Sequence, residues 1–212
     1  MERRLLLATR NRHKLREVRE LLADLPIRLL SLDDALADPV SGEDRIEIHD
    51  SFDGNALAKA RFYRDVTGMD VIADDSGLCV HALCDGPGVR SRRFAPGVYE
   101  SSAEQDAANN RHLLVRLRDV PEARRGAYYR CALVLVAHDR TMILNGRVDG
   151  AIAREERGDG GFGYDPLFIV AGRGRTFGEL PPSVKAAISH RAVAVRSLRR
   201  WLEDVEESRL AP

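Results

Sequence analysis

The chain has 212 residues, which is enough for one domain with a substantial core, or for one domain with a small additional lobe. Lys and Arg together number 33, as do Asp and Glu, so the formal net charge is zero, which argues against a general nucleic-acid binder. No apolar run approaches the roughly 20 residues of a membrane span. The three cysteines, Cys79, Cys84 and Cys131, are odd in number and lack zinc-site spacing. We therefore expect neither a membrane partner nor a disulfide framework, and a reducing cytoplasm as the compartment.

The N-terminal half alternates predicted strands with predicted helices. Continuous apolar runs predict buried strands, and apolar residues three and four apart predict amphipathic helices. In chain order the elements are a strand over 4–8, a helix that Pro26 ends, a strand over 27–32, a loop over 33–50 that a short helix could interrupt, and a helix from 51–53 to the cap glycine Gly68. Two strand-helix units that lead into a third strand at Val71 indicate an α/β fold with a partly parallel sheet.

The C-terminal half begins with a glycine- and proline-rich loop and then changes character. Its predicted elements are a helix over 102–118, two long strands over 127–137 and 142–153 joined by a turn, a glycine-dense loop over 158–166, a short strand over 167–170 and a final amphipathic helix. The two long strands are predicted to pair in antiparallel fashion. We therefore expect a single domain over residues 1–212, in which this antiparallel region, about residues 126–153, forms an edge of the sheet or a second lobe.

The segment Val71–Gly77 is the most informative part of the chain. An apolar run is predicted to end there in two adjacent carboxylates, Asp74 and Asp75, followed by a hydroxyl and a glycine. Adjacent like charges at a partly buried edge repel each other, so a divalent cation would compensate them. Asp-Ser-Gly is also good turn chemistry. From these residues alone, a turn and a metal-and-base site both remain open.

A polar turn, Thr9–Lys14, lies between the first predicted strand and the first predicted helix. Free backbone N–H groups and the helix dipole favour an anion at such a position, and Lys14 would add a positive charge. The turn lacks the glycines of a P-loop. A phosphate-binding turn and a simple capped helix start are both compatible with its sequence.

Two segments near the C-terminus concentrate groups that could recognise a base. Gly160–Asp165 combines glycines with Phe162 and an acid, so a flat ring could approach the backbone and stack. Lys185 and Ser189–Arg191 form a basic and polar cluster at the start of the last helix. A serine hydrolase is excluded because no Gly-x-Ser-x-Gly elbow occurs in the chain. A purely structural turn remains an alternative for the glycine-rich segment.

Five segments, taken in this order, resemble the inosine/xanthosine triphosphate pyrophosphatase family, whose members remove non-standard purine nucleoside triphosphates. The segments are Leu7–Asn11 with Lys14, Ala73–Leu78, Pro87–Val89 with Ser91 and Arg93, Gly161–Pro166, and Lys185 with Ile188–Arg191. They span nearly the whole chain, and the ordered set is far more specific than any one segment.

The resemblance implies an α/β protein with an elongated, two-lobed mixed-sheet fold, flanking helices and a central substrate cleft. It also implies a homodimer and a Mg²⁺-dependent reaction in which a nucleoside triphosphate such as ITP, dITP or XTP reacts with water to give the monophosphate and pyrophosphate. Asp75 aligns with the residue taken as the proton acceptor, and Asp74 and Glu47 join it around the metal.

The resemblance further implies which residues bind the substrate. Lys14 and Lys185, with the N–H groups of the N-terminal turn, would hold phosphates, while the segment from Phe162 to Asp165, with His190 and Arg191, would recognise the base. The full set is Thr9, Asn11, Lys14, Ser76, Arg93, Phe162, Gly163, Tyr164, Asp165, Lys185, His190 and Arg191.

The chain departs from the family pattern close to the expected metal. Gly54 stands where the family usually has a glutamate, and the segment from Glu47 to Phe52 lacks the usual Thr-Gly. Ala186 and Gly178 also replace residues that are more common in the family. A nucleotide-binding relative without turnover, and an enzyme for another modified nucleotide, including a pyrimidine, therefore stay open as alternatives.

Overall fold

The computed structural model describes residues 3–36 and 38–210 of the chain. The strands are β1 (Arg3–Leu7), β2 (Ile27–Leu30), β3 (Asp70–Val80), β4 (Gly86–Pro87), β5 (Gly126–Val136), β6 (Thr141–Ile152) and β7 (Phe168–Val170). The helices are α1 (Arg12–Leu21), α2 (Leu32–Ala35), α3 (Phe52–Thr67), α4 (Ser102–Arg116), α5 (Pro182–Ile188) and α6 (His190–Leu210). None of the helices in this part of the chain is both long and apolar enough to cross a membrane.

Within the described residues, the strands form one mixed sheet in the order β2-β1-β3-β5-β6-β7, with β4 paired to β3. β1 is parallel to both β2 and β3, with Leu6 opposite Leu30 on one side and Val71 on the other. β6 and β7 are antiparallel. β5 and β6 are neighbours joined by a tight turn that the Ala137 N–H closes on the Arg140 carbonyl at 2.9 Å. The predicted mixed α/β fold with flanking helices is confirmed.

The chain divides into two compact units, whose boundaries fall inside β3, β5 and β6 and after the first residue of α6. Unit 1 is drawn from Met1–Asp75, Cys131–Gly146 and Arg191–Pro212, and unit 2 from Ser76–Arg130 and Arg147–His190. Each unit has its own buried apolar cluster. That of unit 1 includes Leu5, Ile72, Leu133 and Leu198, and that of unit 2 includes Leu78, Leu113, Tyr129 and Phe168.

The long helix α3 begins and ends where its sequence predicts. The Ser51 hydroxyl accepts a hydrogen bond from Gly54 N at 3.1 Å, which caps the first turn. At the other end Gly68 adopts a φ of 67°, and its N–H donates to the Arg64 carbonyl at 2.8 Å. α3 therefore enters β3 through a sharp turn that only a residue tolerant of positive φ allows without strain.

The structure corrects the prediction that the third strand ends at the Asp pair. β3 continues for five residues beyond Asp75, so the two carboxylates lie inside a buried strand. Paired cations and an amide stabilise the charges there, as described below, which a sequence pattern does not reveal. The second strand also ends earlier than predicted, at Leu30, because Ser31 caps α2 through a bond from Asp34 N to its hydroxyl.

Candidate active site

The N-terminal turn of unit 1 is a capped helix start. Asn11 Oδ1 accepts hydrogen bonds from His13 N at 2.9 Å and from Lys14 N at 3.3 Å. Thr9 Oγ1 accepts from Asn11 N at 3.1 Å. Thr9 and Asn11 therefore shape the turn through its backbone, and the charged end of Lys14 lies at a carboxylate.

That carboxylate is Asp74, which is 2% exposed and surrounded by cations. Its Oδ2 lies 2.9 Å from Lys14 Nζ and 3.2 Å from Arg191 Nη2, and Arg191 also donates to the Glu17 carboxylate. Burial alone would raise the pKa of this carboxyl, but the charges of Lys14, Arg191 and Lys59 outweigh burial and hold the pKa well below its usual range. Asp74 is therefore an ionised, fixed group at neutral pH.

Asp75, the next residue along β3, has different surroundings. It is 8% exposed, and its Oδ2 accepts a hydrogen bond from Asn55 Nδ2 at 3.0 Å. Asn55 is itself oriented because its Oδ1 accepts from His49 N at 2.9 Å. Burial raises the pKa of the Asp75 carboxyl, and the opposing effects of Lys14 and Asn55 do not cancel it. A carboxylate whose pKa moves toward neutrality is suited to accept a proton.

Lys59 is a candidate site residue that the sequence motifs do not indicate. Its Nζ donates to the Asp74 carbonyl at 3.1 Å and forms an ion pair with the Glu47 carboxylate. Burial acts to raise the pKa of Glu47, but Lys59 outweighs burial and the pKa is lowered. Lys59 follows Asn55 by four residues, one turn of α3, so both lie on the same face of the helix. That spacing is the signal that could have identified it.

The three carboxylates predicted around a metal do not form a ready cage. Within residues 3–36 and 38–210, no group of three or more His, Cys, Asp or Glu side chains could hold a metal ion. The carboxylate of Glu47 is paired with Lys59, and that of Asp74 with Lys14. The donor chemistry nevertheless suits magnesium, which takes oxygen ligands and needs only one or two protein carboxylates beside water and phosphate oxygens.

The glycine at position 54 is closely packed. A Cβ built on Gly54 would lie 2.9 Å from Ser51 Oγ and 3.0 Å from His49 Cβ. The loop before α3 therefore occupies the space that the first carbon of a side chain would need. The absence of a glutamate at Gly54 and the changed segment before it are two parts of one local arrangement.

In unit 2, the glycine-rich segment forms a tight loop around the Asp165 carboxylate. Asp165 Oδ2 accepts hydrogen bonds from Phe162 N at 2.8 Å and from Lys185 Nζ at 2.5 Å. Lys185 Nζ also lies 4.3 Å from the centroid of the Phe162 ring. A Cβ on Gly161 would lie 2.0 Å from Asp165 Oδ2, so only glycine fits there. Phe162 and Asp165, both predicted to recognise the base, are thus brought together with Lys185, which the resemblance assigns to phosphates.

Two other predicted residues of unit 2 make contacts that stabilise the unit. The Tyr164 hydroxyl donates to the Ser91 carbonyl at 2.7 Å, and the ring is 4% exposed. The ring of His190 stacks on Tyr129 with 4.7 Å between ring centroids.

Arg191, the residue after His190, belongs to unit 1 and forms an ion pair with Asp74. The predicted Ser189–Arg191 cluster therefore contributes to both units.

The last two predicted substrate residues, Ser76 and Arg93, also belong to unit 2. Ser76 is a half-buried residue of β3 and follows Asp75 directly. Arg93 is exposed and ends the 3₁₀ turn Gly88–Arg93. This turn replaces the irregular loop that the sequence predicts for this segment.

The protein thus has a mixed α/β fold, a buried carboxylate pair with three cations in unit 1 that is a candidate site for anionic groups, and a glycine loop held by an acid in unit 2 that is a candidate site for a ring. Its chain belongs to the Ham1 family, whose model matches residues 5–201. This match and the named relatives described next confirm the resemblance to the inosine/xanthosine triphosphate pyrophosphatases.

Relatives of known name match the chain over nearly its full length. A protein of Frankia alni named dITP/XTP pyrophosphatase is 44% identical over 205 residues, which cover 95% of this chain and 98% of the relative. A dITP/XTP pyrophosphatase of Mycobacterium tuberculosis is 46% identical over 198 residues, covering 92% and 93%. The solved structure of a HAM1 protein from Coxiella burnetii has a TM-score of 0.83 and 36% identity, and the match covers 95% of this chain and 99% of that one.

Proposed function

We propose that this protein hydrolyses non-standard purine nucleoside triphosphates, of the dITP, ITP and XTP type, to the monophosphate and pyrophosphate. The names of its relatives support this activity. The observation that carries the proposal is the opposite environment of two adjacent carboxylates. Cations hold the pKa of Asp74 low, whereas burial raises the pKa of Asp75.

In the proposed reaction, Asp75 accepts a proton from the attacking water. The water oxygen forms a bond to the α-phosphorus, the bond from that phosphorus to the bridging oxygen breaks, and pyrophosphate leaves with the electron pair. Asn55 Nδ2, 3.0 Å from Asp75 Oδ2, keeps the carboxylate oriented during this transfer. A positioned base of this kind contributes about 10²- to 10⁴-fold to a rate.

Lys14, Lys59 and Arg191 form the cationic part of the proposed phosphate site. In the structure they neutralise Asp74 and Glu47. A triphosphate brings several negative charges, so Lys14 and Lys59 can exchange part of their pairing with carboxylates for pairing with phosphate oxygens. Arg191 is 2% exposed, and we assign it to holding Asp74 in place.

We assign Mg²⁺ to the carboxylates Asp75, Asp74 and Glu47. When bound, the ion would neutralise negative charge on the phosphate oxygens, so that less charge opposes the approach of the water to the α-phosphorus. Glu47 has a side chain that is 40% exposed, so its carboxylate is accessible to an incoming metal-substrate complex. Removal of divalent cations with EDTA is expected to abolish turnover, and added Mg²⁺ to restore it.

We assign recognition of the base to the loop around Asp165 in unit 2. The Phe162 ring offers a stacking surface, and Lys185 offers a donor to a ring oxygen beside the Asp165 acceptor. His190 and the backbone at Gly163 belong to the same proposed set.

We also propose that the protein is a homodimer and is located in the cytoplasm. Light scattering after size-exclusion chromatography tests the oligomeric state.

The decisive experiment is a panel of triphosphates assayed with Mg²⁺ for both pyrophosphate and orthophosphate. We expect pyrophosphate from ITP, dITP and XTP at kcat/KM values far above those for ATP and GTP. Release of orthophosphate alone, or of nothing from any nucleotide, would contradict the proposal. Calorimetric binding without turnover would instead identify a nucleotide-binding protein, the alternative that the missing carboxylate at Gly54 favours.

A further inference from the structure

The loop over Gly161–Asp165 is held by two side chains of α4 that lie outside the residues implied by the family resemblance. Gly163 N donates to Asp106 Oδ2 at 2.9 Å, and Asn110 Nδ2 donates to the Gly163 carbonyl at 3.1 Å. Asp106 and Asn110 are four residues apart, so their side chains lie one above the other on the helix. α4 therefore binds the loop on both sides of one residue.

These two hydrogen bonds fix both peptide groups that flank Gly163. The N–H belongs to the peptide that joins Phe162 to Gly163, and the carbonyl belongs to the next peptide. Gly163 has a φ of 62°, and a Cβ there would meet nothing within 4 Å, so glycine is required for its backbone conformation and not for space. Glycine has more backbone freedom than any other residue, and the contacts with α4 remove it.

The same peptide connects this restraint to the proposed base-binding groups. The carbonyl of Phe162 lies on the peptide that Asp106 holds, and it accepts a hydrogen bond from Asp165 N at 3.3 Å. Phe162 N in turn donates to Asp165 Oδ2 at 2.8 Å. A rotation about Gly163 would therefore move the Phe162 ring and the Asp165 carboxylate together.

Asn110 carries a feature that stability alone does not explain. The residue is 3% exposed, and its Oδ1 has no hydrogen-bond partner among residues 3–36 and 38–210. A buried acceptor without a partner loses its hydrogen bonds to water on folding and gains none in return, a cost that an apolar side chain of similar size would avoid. Gly163 is only half-buried, so water could reach its carbonyl if Asn110 were absent. The amide is thus unfavourable for folding and useful for holding the loop.

We propose that Asp106 and Asn110 are positioning residues for base recognition, which hold the Gly163 backbone so that Phe162 and Asp165 distinguish a 6-oxopurine from a 6-aminopurine. This inference rests on the proposed function, because it assigns base recognition to this loop. It adds that Asp106 and Asn110 set the selectivity by holding the loop, without contacting the ligand themselves.

The test compares three variants with the parent protein and with the exposed neighbour Arg111→Ala as a matched control on the same helix. Asn110→Leu and Asp106→Ala remove the two bonds, and Asp106→Asn keeps an acceptor oxygen at the same place. Calorimetry gives the Kd of IMP and of AMP, and urea unfolding gives the stability of each variant.

Asn110→Leu and Asp106→Ala are expected to reduce the preference for IMP over AMP by at least about tenfold, since small displacements of binding groups have effects of this size. With ITP as substrate, KM should rise more than kcat falls. Asp106→Asn should keep the preference within about threefold of the parent, and Asn110→Leu should unfold at a urea concentration no lower than the parent. Arg111→Ala should match the parent in every measurement.

An unchanged ratio of IMP to AMP affinity in both Asn110→Leu and Asp106→Ala would overturn the inference, as would a parent protein that does not prefer IMP. Failure of the proposed function has a different signature. In that case the parent does not turn over ITP, while the binding ratios of the parent and the variants still decide the role of α4.

Discussion

The two units hold their candidate site residues by opposite means. In unit 1, charged side chains hold other charged side chains, as Lys14 and Arg191 do at Asp74. In unit 2, side chains hold the backbone of a glycine loop, as Asp106 does at Gly163. Ion pairs among several groups are strongly coupled and can change partners when a polyanion binds, whereas hydrogen bonds to a backbone fix a shape in advance. The first arrangement suits phosphates, and the second suits a rigid ring.

The largest expected effect is on turnover, from a change in unit 1 that leaves its charge pairs intact. Asp75→Asn removes the proposed proton acceptor but keeps an oxygen and a similar shape, so kcat is expected to fall by about 10²- to 10⁴-fold. Circular dichroism should show an unchanged fold. Asp65→Asn, at an exposed position of α3, is the matched control. Full activity of the Asp75 variant would remove that residue from the mechanism.

The next effect concerns stability and separates the two neighbouring carboxylates. Asp74→Asn leaves the buried Arg191 and the ammonium of Lys14 without their common partner, which should lower the free energy of unfolding by about 3–5 kcal/mol. Asp75→Asn should not lower it, because burial already disfavours that charge. Urea unfolding at pH 7 measures both. Equal stability of the two variants would show that the charges of unit 1 are not coupled as described.

In unit 2, two glycines of one loop should respond differently to alanine. Gly161 and Gly163 both have positive φ, 79° and 62°, and an alanine at either position should lose about 1–2 kcal/mol through backbone strain. At Gly161 the added Cβ would also meet Asp165 Oδ2 at 2.0 Å and disrupt the bonds of that carboxylate, which adds about 1–3 kcal/mol. Gly161→Ala should therefore be the less stable variant in urea. Equal losses would mean that the loop adapts freely.

The smallest expected effect is the pH dependence of stability, measured without divalent cations. The folded-state pKa of Asp74 is lowered, so its contribution is complete above the unfolded value of about 3.9 and is lost as the pH falls toward the folded pKa. The folded-state pKa of Asp75 is raised, so the folded protein binds this proton more tightly and the free energy of unfolding decreases as the pH rises above about 3.9.

Asp75→Asn should therefore flatten the decrease in stability above that pH, and urea unfolding at a series of pH values measures the slope. The exposed-site variant Asp65→Asn should keep the parent's slope. A steeper decrease in the Asp75→Asn variant would show that the folded-state pKa of Asp75 is not raised.

Much of the fold could be predicted because its signals are local. Ser51 and Gly68 mark the ends of α3 by capping chemistry, and the apolar runs at β1 and β5 needed no partner to be identified. The course of β3 could not be predicted, because a carboxylate inside a strand is acceptable only when distant cations approach it. Arg191 is 117 residues from Asp74 in the chain.

The sequence by itself determined the family and the list of candidate residues, since ordered motifs and local periodicity can be recognised from the order of residues alone. The tertiary structure alone decided what each residue does for its neighbours. It paired Arg191 with Asp74, and its contacts made Lys59 a candidate residue in unit 1 and Asp106 and Asn110 candidate residues in unit 2. The physical reason is that electrostatic coupling and hydrogen bonds depend on distance and burial in space, and residues far apart in the chain carry no local signal of either.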